Sequence, residues 1–197
     1  MENNINMEAN YDNSINILEF IKEVEKLKNV TRTAWTSEGR EESVAEHSWR
    51  LAVFALVMAD QFPGINMGKV LGMCIVHDFG EIYEGDISAK LEDDPEGKLI
   101  REEQAVKKLI KKLPDSVGQN ILDLWYEYNS AETEEAKLVK ALDKMETIVQ
   151  HNQGKNPEDF DYAYNLQYGT KYIKYSQALK ALRALIDNDT MQNVDKK

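Results

Sequence analysis

The residues best suited to chemistry are two histidines that stand near acidic side chains at helical spacing. The chain has three histidines, and His47 lies four residues before Leu51 on the apolar face of a predicted helix. His77 is followed directly by Asp78, and Glu81 comes one helical turn later on the same side. Imidazole nitrogens and carboxylate oxygens grouped in this way are typical of metal sites and of proton transfer.

A further acid, Asp143, lies at the edge of an apolar stripe in another predicted helix, beside Leu142 and Met145. Buried ionisable groups are costly unless they are paired or bound to a metal. Two imidazoles and two carboxylates on three neighbouring helices would form one mixed site, which favours Mn, Fe, Co, Ni, Cu or Zn over Mg. The spacing alone leaves two other interpretations open: His47 as a hydrogen-bonded core histidine, and Asp143 as a surface acid paired with a lysine.

The elements that must position these side chains are helical almost throughout, since apolar residues recur every three or four positions and no run alternates strictly. Ser43 and Glu46 form a predicted capping box at the start of the His47 helix. The fold class is therefore all-α: one helical bundle over residues 14–187, between a flexible N-terminus (1–13) and a flexible tail (188–197). It has six or seven helices, at about 14–28, 44–61, 67–83, 97–112, 117–129, 131–152 and 160–187.

Composition excludes several classes of function. The chain carries 24 Lys and Arg against 35 Asp and Glu, a net charge of −11, so neither a nucleic acid polymer nor an anionic membrane is an expected partner. The single cysteine, Cys74, excludes an internal disulfide. The polar, acidic N-terminus does not resemble a secretory signal, and we expect a cytoplasmic protein.

Three segments give the sequence a family resemblance: ESVAEHSWRLA, VHDFGEIYEGDI and EAKLVKALDKMETIVQ, with RTAW upstream. In order and spacing they resemble the HD-domain metal-dependent phosphohydrolases, and most of all the short HD-domain 5′-deoxynucleotidases, over about residues 14–152. The resemblance implies an HD-domain helical bundle with one divalent cation, whose protein ligands would be His47, His77, Asp78 and Asp143.

The same resemblance implies roles for four more residues. Glu81 and Asp86 would act in catalysis and substrate contact, with Glu81 orienting or deprotonating water or assisting the leaving oxygen, and Asp86 accepting from a sugar hydroxyl. Arg32 and Trp35 would stand at the entrance to a nucleotide pocket, where Arg32 neutralises phosphate and Trp35 walls the sugar.

The predicted function is removal of the 5′-phosphate from deoxyribonucleoside monophosphates by a metal-dependent homodimer. Two alternatives remain: hydrolysis of another small phosphate ester or a nucleoside triphosphate, and a non-catalytic nucleotide sensor with a structural metal. Arg50 is a candidate brace for a carboxylate near the site, and Lys90 is either a phosphate contact or a solvated charge. We expect His151 to take no part, and the five tyrosines of residues 162–175 to pack against the core or a partner chain.

Overall fold

The computed structural model describes residues 2–86 and 94–196, so Lys90 lies outside the described residues. The predicted all-α class is confirmed, with eight α-helices in these ranges, one of them a single turn. The elements are α1 (Glu2–Val24), β1 (Thr31–Trp35), β2 (Glu41–Ser43), α2 (Val44–Met58), α3 (Met67–Val76), α4 (Pro95–Ile110), α5 (Asp115–Ser130), α6 (Glu134–Gln153), α7 (Tyr162–Asn165) and α8 (Gln177–Val194).

Helix α6 is the centre of the bundle. It packs against α2, α3, α5 and α8, and α2 and α3 also pack against each other. The core between them is fully buried and includes Leu51, Met73, Leu142 and Met145. Because the histidines and Asp143 share faces with these apolar residues, their burial follows from the packing of α2, α3 and α6.

A small β-hairpin lies between the first two predicted helices, in a stretch for which the sequence predicts no element. Strands β1 and β2 pair antiparallel, with Thr31 opposite Ser43 and Trp35 opposite Glu41. Strands this short are stabilised mainly by pairing and by what they pack against, which a local pattern does not reveal. Ser43 also begins α2, because its hydroxyl accepts from the Glu46 amide at 3.2 Å while the Glu46 carboxylate accepts from the Ser43 amide at 2.9 Å. The predicted capping box is confirmed.

Two helix predictions are wrong in their limits. Helix α3 ends at Val76 instead of near 83, and a 3₁₀ turn, Phe79–Ile82, follows it. The single helix predicted for 160–187 is instead α7, a 3₁₀ turn and α8, because Gly169 takes a left-handed backbone (φ 72°) and Ser176 caps a new helix. No helix in the described ranges combines the length and the apolar character that a membrane span requires.

The ends of the bundle also differ from the predicted helix limits. Helix α1 begins at Glu2 instead of near 14, and α8 runs past 187 to Val194. The extension of α8 is packed: Thr190 is fully buried and bonds to Asn152 of α6. The division into a domain with flexible ends stays a prediction.

Candidate active site

The four predicted metal ligands come together from three helices. His47 is on α2, His77 and Asp78 follow the end of α3, and Asp143 is on α6. The Nε2 atom of His77 lies 3.3 Å from His47 Nε2 and 3.0 Å from Asp78 Oδ2, and His47 Nε2 lies 3.2 Å from Asp143 Oδ1. These short distances show that the atoms face one another. Both histidines are buried, so little solvent reaches their rings.

The other nitrogen of each imidazole is held by the protein. His77 Nδ1 donates to the Cys74 carbonyl oxygen at 3.0 Å, and His47 Nδ1 donates to a carboxylate oxygen of Glu146. Since both partners only accept, each Nδ1 must carry the proton. Each ring therefore directs Nε2 into the shared site, and a metal binds the tautomer in which Nε2 carries no proton.

The donor set fits one divalent cation. Donor atoms about 2.1 Å from a common metal lie about 3.0 to 3.4 Å apart in octahedral or tetrahedral geometry. The separations here run from 3.0 Å to the 3.8 Å between His47 Nε2 and Asp78 Oδ2. His47, His77 and Asp78 each offer an atom within 4.8 Å of the others, and Asp143 stands beside this group with Oδ1 3.2 Å from His47 Nε2.

Electrostatics also favour a cation at this point. Burial and the Arg32 guanidinium disfavour a charged His47, but Glu146 and Asp143 outweigh them and raise its pKa to about 9. Burial raises the pKa of Asp143, yet Lys144 and the two imidazoles bring it well below its usual range. The carboxylates are thus ionised around the shared site, and a positive charge there is stabilised.

Glu146 is a functional residue that the sequence reasoning missed. It is 1% exposed and also accepts from Arg50 Nε at 2.5 Å, so Arg50 does brace a carboxylate, as expected. Burial opposes its charge, but His47 and the arginines lower the pKa of Glu146 to about 2. Its position three residues after Asp143, on the same face of α6, was a signal that could have identified it.

A cavity of about 280 Å³ opens onto this site. Besides three of the candidate ligands, it is lined by Arg32, Glu81 and Asp86. Arg32 Nη1 donates to Glu42 at 3.0 Å, Nη2 donates to Thr147 at 3.1 Å, and Nε lies 3.7 Å from Asp86. The structure therefore brings Arg32, Glu81 and Asp86 to the cavity, as the sequence predicts.

Trp35 is placed differently. It is absent from the described residues that line the cavity. Its ring packs edge-on against Phe160 at 6.2 Å, and Phe160 packs in turn on His151, which does line the cavity. Trp35 thus stands behind two rings, and its contact with a sugar stays a prediction.

Glu81 has the environment of a proton-transfer group. Its side chain is 6% exposed, and Oε2 has no hydrogen-bond partner among the described residues. Burial, followed by the charges of Asp78 and Asp86, raises the pKa of Glu81 well above its usual range. A buried carboxyl whose pKa is raised in this way is suited to general acid–base chemistry.

The cavity also holds cations that the sequence reasoning did not select. Lys98 lies 3.3 Å from Glu102, and Lys144 lies 2.9 Å from Asp143 Oδ2. Lys140 lies over the Tyr128 ring at 3.5 Å and forms no ion pair with a described carboxylate. Lys140 comes one helical turn before Asp143, a spacing that could have marked it. Its ammonium group is the cation most available to an anion.

Tyr128, also missed, completes the surroundings of Asp143. Its hydroxyl donates to Asp143 Oδ2, and its ring packs against His77 at 5.0 Å. The contact orients the carboxylate so that Oδ1 faces His47.

A family model described as the HD domain matches residues 24–183, most of the chain. The chain belongs to the HD domain family. The matched span contains all four candidate ligands of this HD domain and the whole of its cavity.

Relatives of this HD domain protein carry a common name. The 5′-deoxynucleotidase HDDC2 of Bos taurus is 37% identical over 146 residues, 73% of this chain and 70% of the relative. The protein of the same name from Dictyostelium discoideum is 35% identical over 161 residues, 77% of this chain and 85% of the relative.

Solved structures agree with the fold. A protein described as a predicted metal-dependent phosphohydrolase from Magnetospirillum magnetotacticum MS-1 superposes with a TM-score of 0.77 at 27% identity, covering 92% of this chain and 97% of that one. The PH0347 protein of Pyrococcus horikoshii OT3 gives a TM-score of 0.68 at 27% identity, over 88% and 98% of the two chains.

Proposed function

We propose that the protein is a metal-dependent 5′-deoxynucleotidase that releases inorganic phosphate from deoxyribonucleoside monophosphates. The observation that carries the proposal is the cluster of two imidazoles and two carboxylates, of which His77, Asp78 and Asp143 line one cavity together with lysines and an arginine. The substrate class is supported by relatives that bear this enzyme name. Five vertebrate sequences, one from Dictyostelium and one from fission yeast are 35 to 38% identical to this chain.

The protein ligands in this proposal are His47, His77, Asp78 and Asp143. A divalent cation held there supplies Lewis acidity that polarises the phosphate ester and makes water more acidic. The two nitrogen donors favour Mn, Co, Fe, Ni, Cu or Zn over Mg, because Mg²⁺ prefers oxygen ligands.

The chain's own groups handle the proton and the substrate. Water attacks phosphorus, the bond from phosphorus to the 5′ oxygen breaks, and Glu81 Oε2 carries a proton from the water to the departing oxygen. Asp86 accepts a hydrogen bond from the sugar hydroxyl and is oriented by Arg32, which lies 3.7 Å away. Lys140 and Arg32 attract the phosphate, offsetting the net charge of −11.

We also propose a cytoplasmic homodimer. Exposed apolar side chains on α2 support the dimer, since Trp49 is 67% and Val57 is 72% exposed. Helix α1 adds Ile17, Leu18 and Ile21, all exposed. A single buried thiol, Cys74, suits a reducing compartment. Sedimentation equilibrium of the wild type and of Trp49→Asp tests the dimer. The carboxylate introduced by the substitution should weaken dimer association.

The function is tested by phosphate release from deoxy- and ribonucleoside monophosphates and triphosphates. Protein stripped with EDTA receives Mn, Co, Zn or Mg one at a time. Metal-dependent release that favours deoxy-monophosphates is the expected result. Preference for triphosphates or for another ester would replace the substrate class, and metal binding without any turnover would favour a sensor.

A further inference from the structure

Two tyrosines of the tyrosine-rich segment, residues 162–175, form part of the cavity wall. Tyr164 and Tyr168 both line it, with ring centroids 5.7 Å apart and planes inclined by 32°. The Tyr168 ring lies 5.4 Å from the ammonium nitrogen of Lys144, which in turn contacts Asp143. This aromatic wall (Tyr164 and Tyr168) therefore starts beside the candidate metal ligands and continues to Tyr164.

The backbone beneath the aromatic wall is held by a buried arginine. Arg183 of α8 is 2% exposed and donates to the carbonyl oxygens of Asn165, Leu166 and Tyr168 at 2.8, 3.1 and 2.7 Å. A buried guanidinium that satisfies three carbonyl groups fixes the path of the chain between the two tyrosines. The wall is thus preorganised and does not need to form when a ligand binds.

Gly169 brings the aromatic wall close to α6. A Cβ at this position would lie 2.5 Å from Lys144 Cβ, so only glycine allows the approach, and its φ of 72° also favours glycine. On the neighbouring side His151 lines the cavity, and its Nδ1 lies 3.0 Å from Asn165 Oδ1. His151, which we expected to take no part, therefore lines the cavity beside the aromatic wall.

The chemistry of the cavity is divided. The inner part holds carboxylates and ammonium groups, whereas the aromatic wall presents flat, uncharged rings. A nucleoside monophosphate has the same division, with a charged phosphate at one end and a flat base at the other. Aromatic side chains bind bases by stacking and tolerate different bases, because every base has a π face.

We propose that Tyr164 and Tyr168 are the nucleobase subsite, with the base stacked on Tyr164 while the 5′-phosphate lies at the metal ligands. This inference rests on the proposed function and names the part of the site that recognises the nucleoside. It assigns the tyrosine-rich segment a role in substrate binding that its expected packing role does not include.

The test compares a nucleotide with the base-free sugar phosphate: thymidine 5′-monophosphate and 2-deoxyribose 5-phosphate, each with Mn²⁺. Tyr164→Ala is expected to raise KM for the nucleotide roughly 5- to 100-fold, the size of one lost stacking contact. KM for the base-free ester should stay within about twofold of the wild type. Tyr164→Phe keeps the ring and should retain the wild-type KM for both.

Tyr175→Ala is the matched control, since Tyr175 belongs to the same segment but lies outside the described lining of the cavity and is 42% exposed. It should change neither KM. Inhibition of the wild type provides a measurement that needs no variant to fold: thymidine should compete with the nucleotide, and 2-deoxyribose should not.

The outcomes separate the two claims. If Tyr164→Ala raises KM equally for both substrates, or for neither, the nucleobase subsite is wrong while the phosphohydrolase stands. Equal KM values of the wild type for both substrates, or no inhibition by thymidine, have the same meaning. Wild-type protein that releases phosphate from neither substrate overturns the proposed function and this inference with it.

Discussion

Glu146 holds His47 from the side opposite the candidate metal site. Nδ1 of His47 donates to the Glu146 carboxylate, and Nε2, across the ring, lies 3.2 Å from Asp143 Oδ1. Glu146 is itself held by Arg50 at 2.5 Å and lies 3.8 Å from Arg32. A carboxylate in this position orients the imidazole and increases its basicity as a ligand.

Replacing Glu146 should therefore weaken metal binding without removing a ligand. We expect Glu146→Gln to lower the affinity for Mn²⁺ or Co²⁺ roughly 10- to 100-fold, measured by competition with a chelator of known affinity. Glu134→Gln, an exposed residue on the same helix, is the control and should bind as the wild type does. Equal affinities of the two variants would contradict a role for Glu146 behind His47.

Metal removal should lower thermal stability. A cation at one hundred times its dissociation constant contributes about 2.7 kcal/mol, which corresponds to a rise in Tm of about 5 to 10 °C for a chain of this size. We expect that rise when Mn²⁺ is returned to protein stripped with EDTA.

Asp143→Asn should abolish most of this rise, because it removes a charged ligand, whereas Asp123→Asn, on an exposed position of α5, should keep it. Scanning calorimetry with and without the metal measures both variants. A full rise in Asp143→Asn would exclude Asp143 from the ligand set.

Glu81→Gln should separate catalysis from binding. Loss of a proton-transfer group lowers kcat roughly 10²- to 10⁴-fold, while the stabilisation by Mn²⁺ should persist because Glu81 is not among the proposed ligands. Glu84→Gln, three residues later and exposed, is the control and should retain kcat. Unchanged turnover in Glu81→Gln would favour another proton carrier.

Substrate binding should weaken as the pH rises through about 8. Burial and the neighbouring Lys144 lower the pKa of Lys140 to about 8, although Asp143, Asp78 and Glu102 oppose them. The cationic form that attracts phosphate is therefore present below pH 8 and is lost above it. We expect KM to rise between pH 7 and pH 9 in the wild type.

Two variants of Lys140 isolate this effect from other titrations. Lys140→Arg keeps its charge at pH 9 and should show a smaller rise in KM over the same range. Lys140→Met lacks the charge at both values, so its KM should be high throughout. Parallel curves for all three proteins would rule out Lys140 as the source.

The contact of Gly169 with α6 can be measured against another glycine of the same backbone class. Gly169 and Gly64 both have positive φ, but a Cβ at Gly64 would meet nothing within 4 Å. Gly64→Ala should cost about 1 kcal/mol in the free energy of unfolding from backbone strain alone. Gly169→Ala should cost roughly 1 to 3 kcal/mol more, because Lys144 must move. Urea denaturation measures both, and equal losses would contradict the close approach.

The sequence by itself determined the all-α class and the buried helix faces that carry the candidate ligands. Regular apolar spacing on α2, α3 and α6 places His47, Cys74 and Asp143 on buried faces, and burial of an ionisable group requires a partner or a metal. The capping box of α2 was equally predictable from the sequence, because the side chains of Ser43 and Glu46 each accept a hydrogen bond from the other's backbone amide within four residues. These features depend on interactions short in sequence.

Only the tertiary structure decided which residues meet. Glu146 and Arg50 are 96 residues apart in the chain, and Arg32 and Thr147 are 115 residues apart. No local pattern encodes such pairs. The hairpin that directs Arg32 into the cavity and Trp35 away from it depends on pairing between two short strands. Tyr164 and Tyr168 line the cavity on a backbone that Arg183 of α8 holds through hydrogen bonds to carbonyl oxygens 15 and 18 residues earlier, a contact that no local pattern predicts.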